Sequence, residues 1–128
     1  VVFFVDTVGA SCGAKAETHG QAMIIAKLLQ EMSDVRVPVL SIIIGEGGSG
    51  GALAFAIGNE VWMMENATFS ILSPEGYASI LWKDNSKAAQ AAGEMEMCAS
   101  DLYQKGVIDK IIMEKEPITK KNVKMIKF

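Results

Sequence analysis

Between the apolar run Val37 to Ile44 and the small-residue segment Ala52 to Ile57 lies Gly45-Glu46-Gly47-Gly48-Ser49-Gly50-Gly51, five glycines in seven positions. Glycine reaches φ > 0 without steric cost and lets a ligand come close to bare backbone N–H groups. A strand-like run before the bend and a helix-like run after it put the stretch at the C-terminal end of a strand, the edge where open α/β sheets bind ligands. A site is therefore predicted here.

The rest of the chain reads as elements that frame this bend. Val1 to Val5 is expected to be a buried strand, and the small residues from Asp6 to Ala14, with glycines at 9 and 13, a loop. Asp6 at the strand's end is expected to accept hydrogen bonds from loop N–H groups rather than to catalyse. Ala22, Ile25, Ala26, Leu29 and Met32 recur at helical spacing, with Gly20 early in that helix. His19, the single histidine, is read as a surface or packing residue.

Pro38 opens the next strand, where its missing N–H does least harm. Apolar runs without alternation imply strands buried on both faces, hence a mostly parallel sheet covered by helices. Ala52 to Ile57 predicts a short helix, and Val61 to Met64 and Thr68 to Leu72 predict two strands. Ser73-Pro74-Glu75 marks a helix start, with Ser as N-cap, Pro at the first position and an acid in the first turn. A second amphipathic helix is predicted from about Ser86, carrying Ala88, Ala91, Met95, Ala99 and Leu102 on one face, with a docking strand at Ile111 to Met113.

Composition limits what this frame can do. With 128 residues, 50% of them hydrophobic, the chain can build one small core. Residues 1–116 are assigned to that domain and 117–128 to a solvated tail bearing Lys120, Lys121, Lys124 and Lys127. Six basic against 13 acidic side chains over residues 1–109 leave no nucleic-acid footprint. No apolar run approaches the roughly 20 residues of a membrane span, so no membrane association is expected. Cys12 and Cys98 have neither metal-site nor disulfide-framework spacing, which favours a reducing cytoplasm. The first residues form a strand with no initiator Met, so the chain is expected to be cut from something longer or processed.

Three chemistries compete for the bend. Gly47-Gly48-Ser49-Gly50-Gly51 fits the G-x-S-x-G nucleophile elbow, yet that fold needs a histidine later in the chain and His19 lies 30 residues earlier. A dinucleotide site could use Gly45, Gly47 and Gly50 with Glu65 on the ribose, but the helix that follows is short for a crossover. In the third reading, Gly9 and Ala10 after one strand and Gly50 and Gly51 after the next each aim a backbone N–H at one oxygen.

Asp6-Thr7-x-Gly9-Ala10, Val37-Pro38-Val39, the Ile44 to Leu53 glycine segment and Ser73-Pro74-Glu75-Gly76-x-Ala78-Ser79-Ile80-Leu81-Trp82-Lys83 resemble the carboxyltransferase α subunit of bacterial acetyl-CoA carboxylase. The resemblance covers residues 1 to about 114. It implies a crotonase/ClpP-like spiral of ββα units, incomplete at the N-terminus. It also implies transfer of a carboxyl group from carboxybiotin on a biotin carboxyl carrier protein to acetyl-CoA, giving malonyl-CoA, together with a β subunit. By that analogy Gly9, Ala10, Gly50 and Gly51 form the oxyanion hole, Gly47, Gly48 and Ser49 bind the cofactor, and this chain needs neither a metal nor a protein base. Gly51→Val is then expected to abolish transfer in a folded protein. The chain departs from the family at Val8, Ser11 and Cys12, where the usual loop reads Pro-Gly-Ala-Tyr-Pro-Gly. An inactive assembly subunit, keeping its glycines for packing, is the alternative.

Overall fold

Apolar strands need neighbours on both sides, and the second strand of this chain has the most. In the computed structural model, which describes residues 1–115, five strands form one sheet: β1 (Val2–Thr7), β2 (Leu40–Gly48), β3 (Glu60–Met64), β4 (Thr68–Ser70) and β5 (Lys110–Ile112). The order β1-β2-β3-β5 is parallel throughout, and β4 pairs parallel with β2 off this path. Leu40 to Ile43 lie between β1 and β3. Beyond Gly45 the partner changes: Glu46, Gly47 and Gly48 pair with Thr68, Phe69 and Ser70 of β4, and Gly47 also pairs with Thr7 of β1.

The helices are α1 (Ala14–Thr18), α2 (Gln21–Ser33), α3 (Ser49–Leu53), α4 (Pro74–Trp82), α5 (Ala88–Glu94) and α6 (Ala99–Gln104). Ile42, Ile43 and Met63 from the sheet meet Ala52 of α3, Ala99 and Leu102 of α6 in one buried cluster. Ser41 is buried there too, because its Oγ donates to the Phe55 carbonyl at 2.6 Å and so leaves no polar atom unpaired. The N-cap at Ser73 is as predicted, its Oγ accepting from the Gly76 N–H at 3.2 Å. Asp84 Oδ1 accepts from the Ser86 hydroxyl and N–H, which holds its carboxyl below the usual carboxylate range and starts the turn into α5.

Several expectations are corrected. β1 is not buried but lies at the sheet edge, with Val2 and Phe4 53% and 61% exposed and Val5 alone of the strand buried. The glycine stretch is not one loop: β2 continues to Gly48, and α3 begins at Ser49 rather than Ala52. On α2 the inward face is Ile25, Leu28, Leu29 and Met32, while Ala22 and Ala26 are exposed.

The long helix predicted from Ser86 is broken after α5. The Phe69 N–H donates to the Met97 carbonyl at 3.0 Å, and Cys98 bridges Thr68, so β4 draws that backbone out of the helix. The lysine tail lies outside the described residues. Among these residues, no helix is long and apolar enough to cross a membrane.

Candidate active site

Each glycine of the bend can be asked what its missing side chain permits. None of the five has a positive φ, so conformational freedom is not the reason for their number. Close approach is. A Cβ on Gly45 would stand 2.5 Å from Asp6 Oδ1, on Gly47 2.9 Å from the Phe69 ring, and on Gly48 2.3 Å from the Val8 carbonyl oxygen. On Gly51 it would stand 2.8 Å from the Ala10 nitrogen and 3.1 Å from the Gly9 carbonyl carbon. These are below or at the edge of any real Cβ contact. Gly50 differs, since a Cβ there meets nothing nearer than Ile25 Cγ2 at 3.9 Å.

The same distances place the Gly9-Ala10 loop directly against the start of α3, so the two bends that follow β1 and β2 share one side of the sheet. Gly9 itself is in the left-handed region at φ 118°, where glycine is required. Its N–H donates to Thr7 Oγ1 at 3.1 Å, which removes Gly9 as a free donor and leaves Ala10 as the loop's amide. Among the described residues no hydrogen bond occupies the Ala10 N–H. Gly50 and Gly51 open α3, where the first amides have no intrahelical acceptor. Gly9 is thus engaged within its own loop, while Ala10, Gly50 and Gly51 stand together where the two bends meet.

Asp6 accepts the Glu46 N–H at 3.0 Å, pinning the end of β1 to the second half of β2, as a structural carboxylate should. Glu65, the ribose acid of the dinucleotide reading, accepts the Glu114 N–H at 2.9 Å beyond β3 and β5. His19 Nδ1 lies 2.6 Å from the Lys15 carbonyl oxygen at the end of α1. Neither side chain lines a cavity at the bend.

Two cavities adjoin the bend, and Ser49 lines both. The larger, about 620 Å³, has a mainly apolar wall that includes Leu53, Phe69, Ile71, Leu72 and Tyr77 beside Gly50, with the Lys105–Glu96 ion pair among its polar lining. The smaller, about 360 Å³, is lined by Gly47 and Gly48 together with Val8, Glu46, Thr68 and Ser73. Sequence reasoning missed these walls because they come from β4, α4 and the break before α6. The density of hydroxyl residues at 68, 70 and 73 was the signal available.

A parallel sheet whose second strand passes to a following ββα unit, with small-residue bends at the ends of β1 and β2, is the crotonase-like fold of carboxyltransferases. The chain superposes on the transcarboxylase 12S hexamer core with a TM-score of 0.77 at 18% identity, over 93% of this chain and 29% of that one. On a Pseudomonas malonate decarboxylase hetero-tetramer chain the TM-score is 0.78 at 14% identity, over 90% and 47%. At such identities the likeness concerns fold alone.

Sequence carries the assignment further. The chain belongs to the acetyl co-enzyme A carboxylase carboxyltransferase-like family, whose pattern it matches over residues 1–127. It is 55% identical over 127 residues to the acetyl-coenzyme A carboxylase carboxyl transferase subunit alpha of Streptococcus equi subsp. equi, covering 99% of this chain and 50% of that one. It is 52% identical over 126 residues to the corresponding subunit of Clostridium acetobutylicum, covering 98% and 46%. The chain thus spans about half the length of the curated relatives it matches.

Proposed function

We propose that this chain supplies the biotin-side wall of an acetyl-CoA carboxylase carboxyltransferase, moving a carboxyl group from a carrier-borne biotin to acetyl-CoA in complex with a β subunit in the cytoplasm. The relatives' shared name supports the reaction class. The observation that carries it to these residues is Gly50, whose missing side chain neither packing nor backbone conformation requires, at the edge of a cavity.

Biotin, when bound, supplies a ureido nitrogen that carries the carboxyl group and a ureido oxygen on which negative charge builds as that group leaves. The chain's part is to meet this charge with fixed donors. The Ala10 N–H from one bend and those of Gly50 and Gly51 from the other are held by backbone contact, so they need no reorganisation when charge develops. Gly47 and Gly48 keep β2 close to β4 and to the Val8 loop, which sets the distance between the two bends. The apolar cavity wall beside Gly50 offers no competing polar groups on that side of the donors.

An inactive assembly subunit would keep Gly45, Gly47, Gly48 and Gly51 for packing alone, but it would have no use for a bare Gly50. Gly50→Ala therefore separates the two. The added methyl has room and the φ suits alanine, so the chain is expected to fold with unchanged Tm. Malonyl-CoA formation, measured with β subunit and biotinylated carrier, is expected to fall at least tenfold, because the amides stay in place but the added methyl crowds the ligand's approach to them; full loss of one such donor costs on the order of 10² to 10³ in rate. Full activity of the variant would discard the assignment. Gly51→Val is the poorer test, contrary to expectation, because its side chain collides with Ala10 and would distort both bends. This chain without its partner is expected to be inactive.

A further inference from the structure

Two of the helices beside the larger cavity stand apart from the core beneath it. Between Leu72 and Met97 the chain runs through α4, a single turn at Asn85–Lys87 and α5, elements that pack chiefly on one another. Ala78 of α4 and Ala91 of α5 are fully buried, yet neither is a member of the cluster that joins the sheet to α3 and α6. Tyr77 meets Trp82 edge-on within α4, with ring centroids 5.7 Å apart. This helical hairpin buries its own small side chains and owes little to the sheet.

Its two ends are fixed, and the fixing stops short of the helices. On the entering side the Ser70 hydroxyl donates to the Leu72 carbonyl at 3.0 Å, and the next residue, Ser73, already caps α4. On the leaving side β4 holds Met97 and Cys98, while the Met95 N–H still donates to the Ala91 carbonyl of α5. What lies between is the Leu72–Ser73 link and Glu96, which stands in the left-handed region at φ 49°. The Glu96 side chain ties this second link to Lys105, at the end of α6, by an ion pair whose members are both about half exposed. Such pairs contribute little to stability and part easily. Two short links side by side, with a weak tie across one of them, have the form of a hinge.

The larger cavity is the gap that this hinge spans. Tyr77 and Met95 line it from the hairpin, and Leu53, Phe69 and Leu102 line it from the sheet and the helices packed on it. Both walls are mainly apolar, so narrowing the gap over an apolar ligand removes surface from water on each side. Resting on the carboxyl-transfer reading above, we propose that α4 and α5 form a lid that closes over the carrier-borne biotinyl group, turning about Leu72–Ser73 and Glu96. The apolar body of that group fills the gap, and closure holds it against the bend. Elements that move over ligands are drawn from the part of a fold least tied to its core, as this hairpin is.

The test is hydrogen exchange, read by mass spectrometry on the complete carboxyltransferase alone, with unmodified carrier and with biotinylated carrier. Without carrier, residues 74–94 are expected to exchange together through one opening, ahead of β2 and α6. Exchange of the hairpin in step with the sheet overturns the inference. With biotinylated carrier at about ten times its Kd, exchange across the whole hairpin is expected to slow about tenfold, since the ligand favours the closed form by that factor. Unmodified carrier is expected to leave it unchanged. Residues 85–91 decide between a lid and a rigid wall, because they line neither cavity. Protection confined to residues that touch the cavity, or equal protection by unmodified carrier, overturns the lid. Malonyl-CoA formation is followed in the same samples. A parental enzyme that transfers nothing removes the proposed function, and the exchange measured without carrier then decides the lid by itself.

Discussion

Four glycines of the bend are small because another part of the chain stands where their side chains would be, and this decides what a substitution does at each. At Gly48 the obstacle is backbone, the Val8 carbonyl at 2.3 Å from an added Cβ, which has no rotamer by which to move away. Gly48→Ala is expected to destabilise the chain by about 1–3 kcal/mol, as overpacking does, and to lower Tm where Gly50→Ala does not. Equal Tm values for the two would show that the bends tolerate separation. The clustering of glycine was legible in the sequence, but its cause was not. A positive φ is a local inference, whereas Val8 against Gly48 and Asp6 against Gly45 are contacts across some 40 positions. Asp6 was readable all the same, since a carboxylate at a strand's end has a short menu of partners and the Glu46 N–H is one.

Elements whose signals are local came through the sequence intact, and those set by a neighbour did not. The start of α4 is local: Ser73 caps, Pro74 takes the first position and Glu75 faces the positive end of the helix. Ser73→Ala is expected to cost about 1 kcal/mol, read by urea denaturation as a lower midpoint with unchanged slope, and no loss would mean that Pro74 alone sets the helix start. The helix expected from Ser86 to Lys105 has continuous apolar spacing, yet it breaks because Met97 and Cys98 serve β4 instead. That break also brings Met95 and Glu96 to the larger cavity, so an error at the level of the element hid part of the site. The face of α2 was misjudged for a related reason: Ala22 and Ile25 share its apolar stripe by spacing, but what the helix rests on is not local.

At the scale of the molecule, stability and site sit on different residues, and two isoleucines separate them. Ile43 is fully buried on β2 between β1 and β3, in the cluster that joins the sheet to α3 and α6. Ile71 follows β4, is 79% exposed, and lines the larger cavity. Ile43→Ala removes buried methyl groups from a strand that has neighbours on both edges and so cannot collapse around the gap. It is expected to cost about 2–5 kcal/mol, a large fraction of the 5–15 kcal/mol typical of a domain. Ile71→Ser removes little buried area, and its stability is expected to stay within about 0.5 kcal/mol of the parent. Its effect should fall on the ligand instead: the apparent KM for biotinylated carrier rises several-fold in the assembled carboxyltransferase while the denaturation midpoint stays put. A serine variant at Ile71 that unfolds early would mean that the cavity wall is part of the core. One that transfers carboxyl groups at the parental KM would mean that the ligand lies elsewhere, against the smaller cavity shared through Ser49.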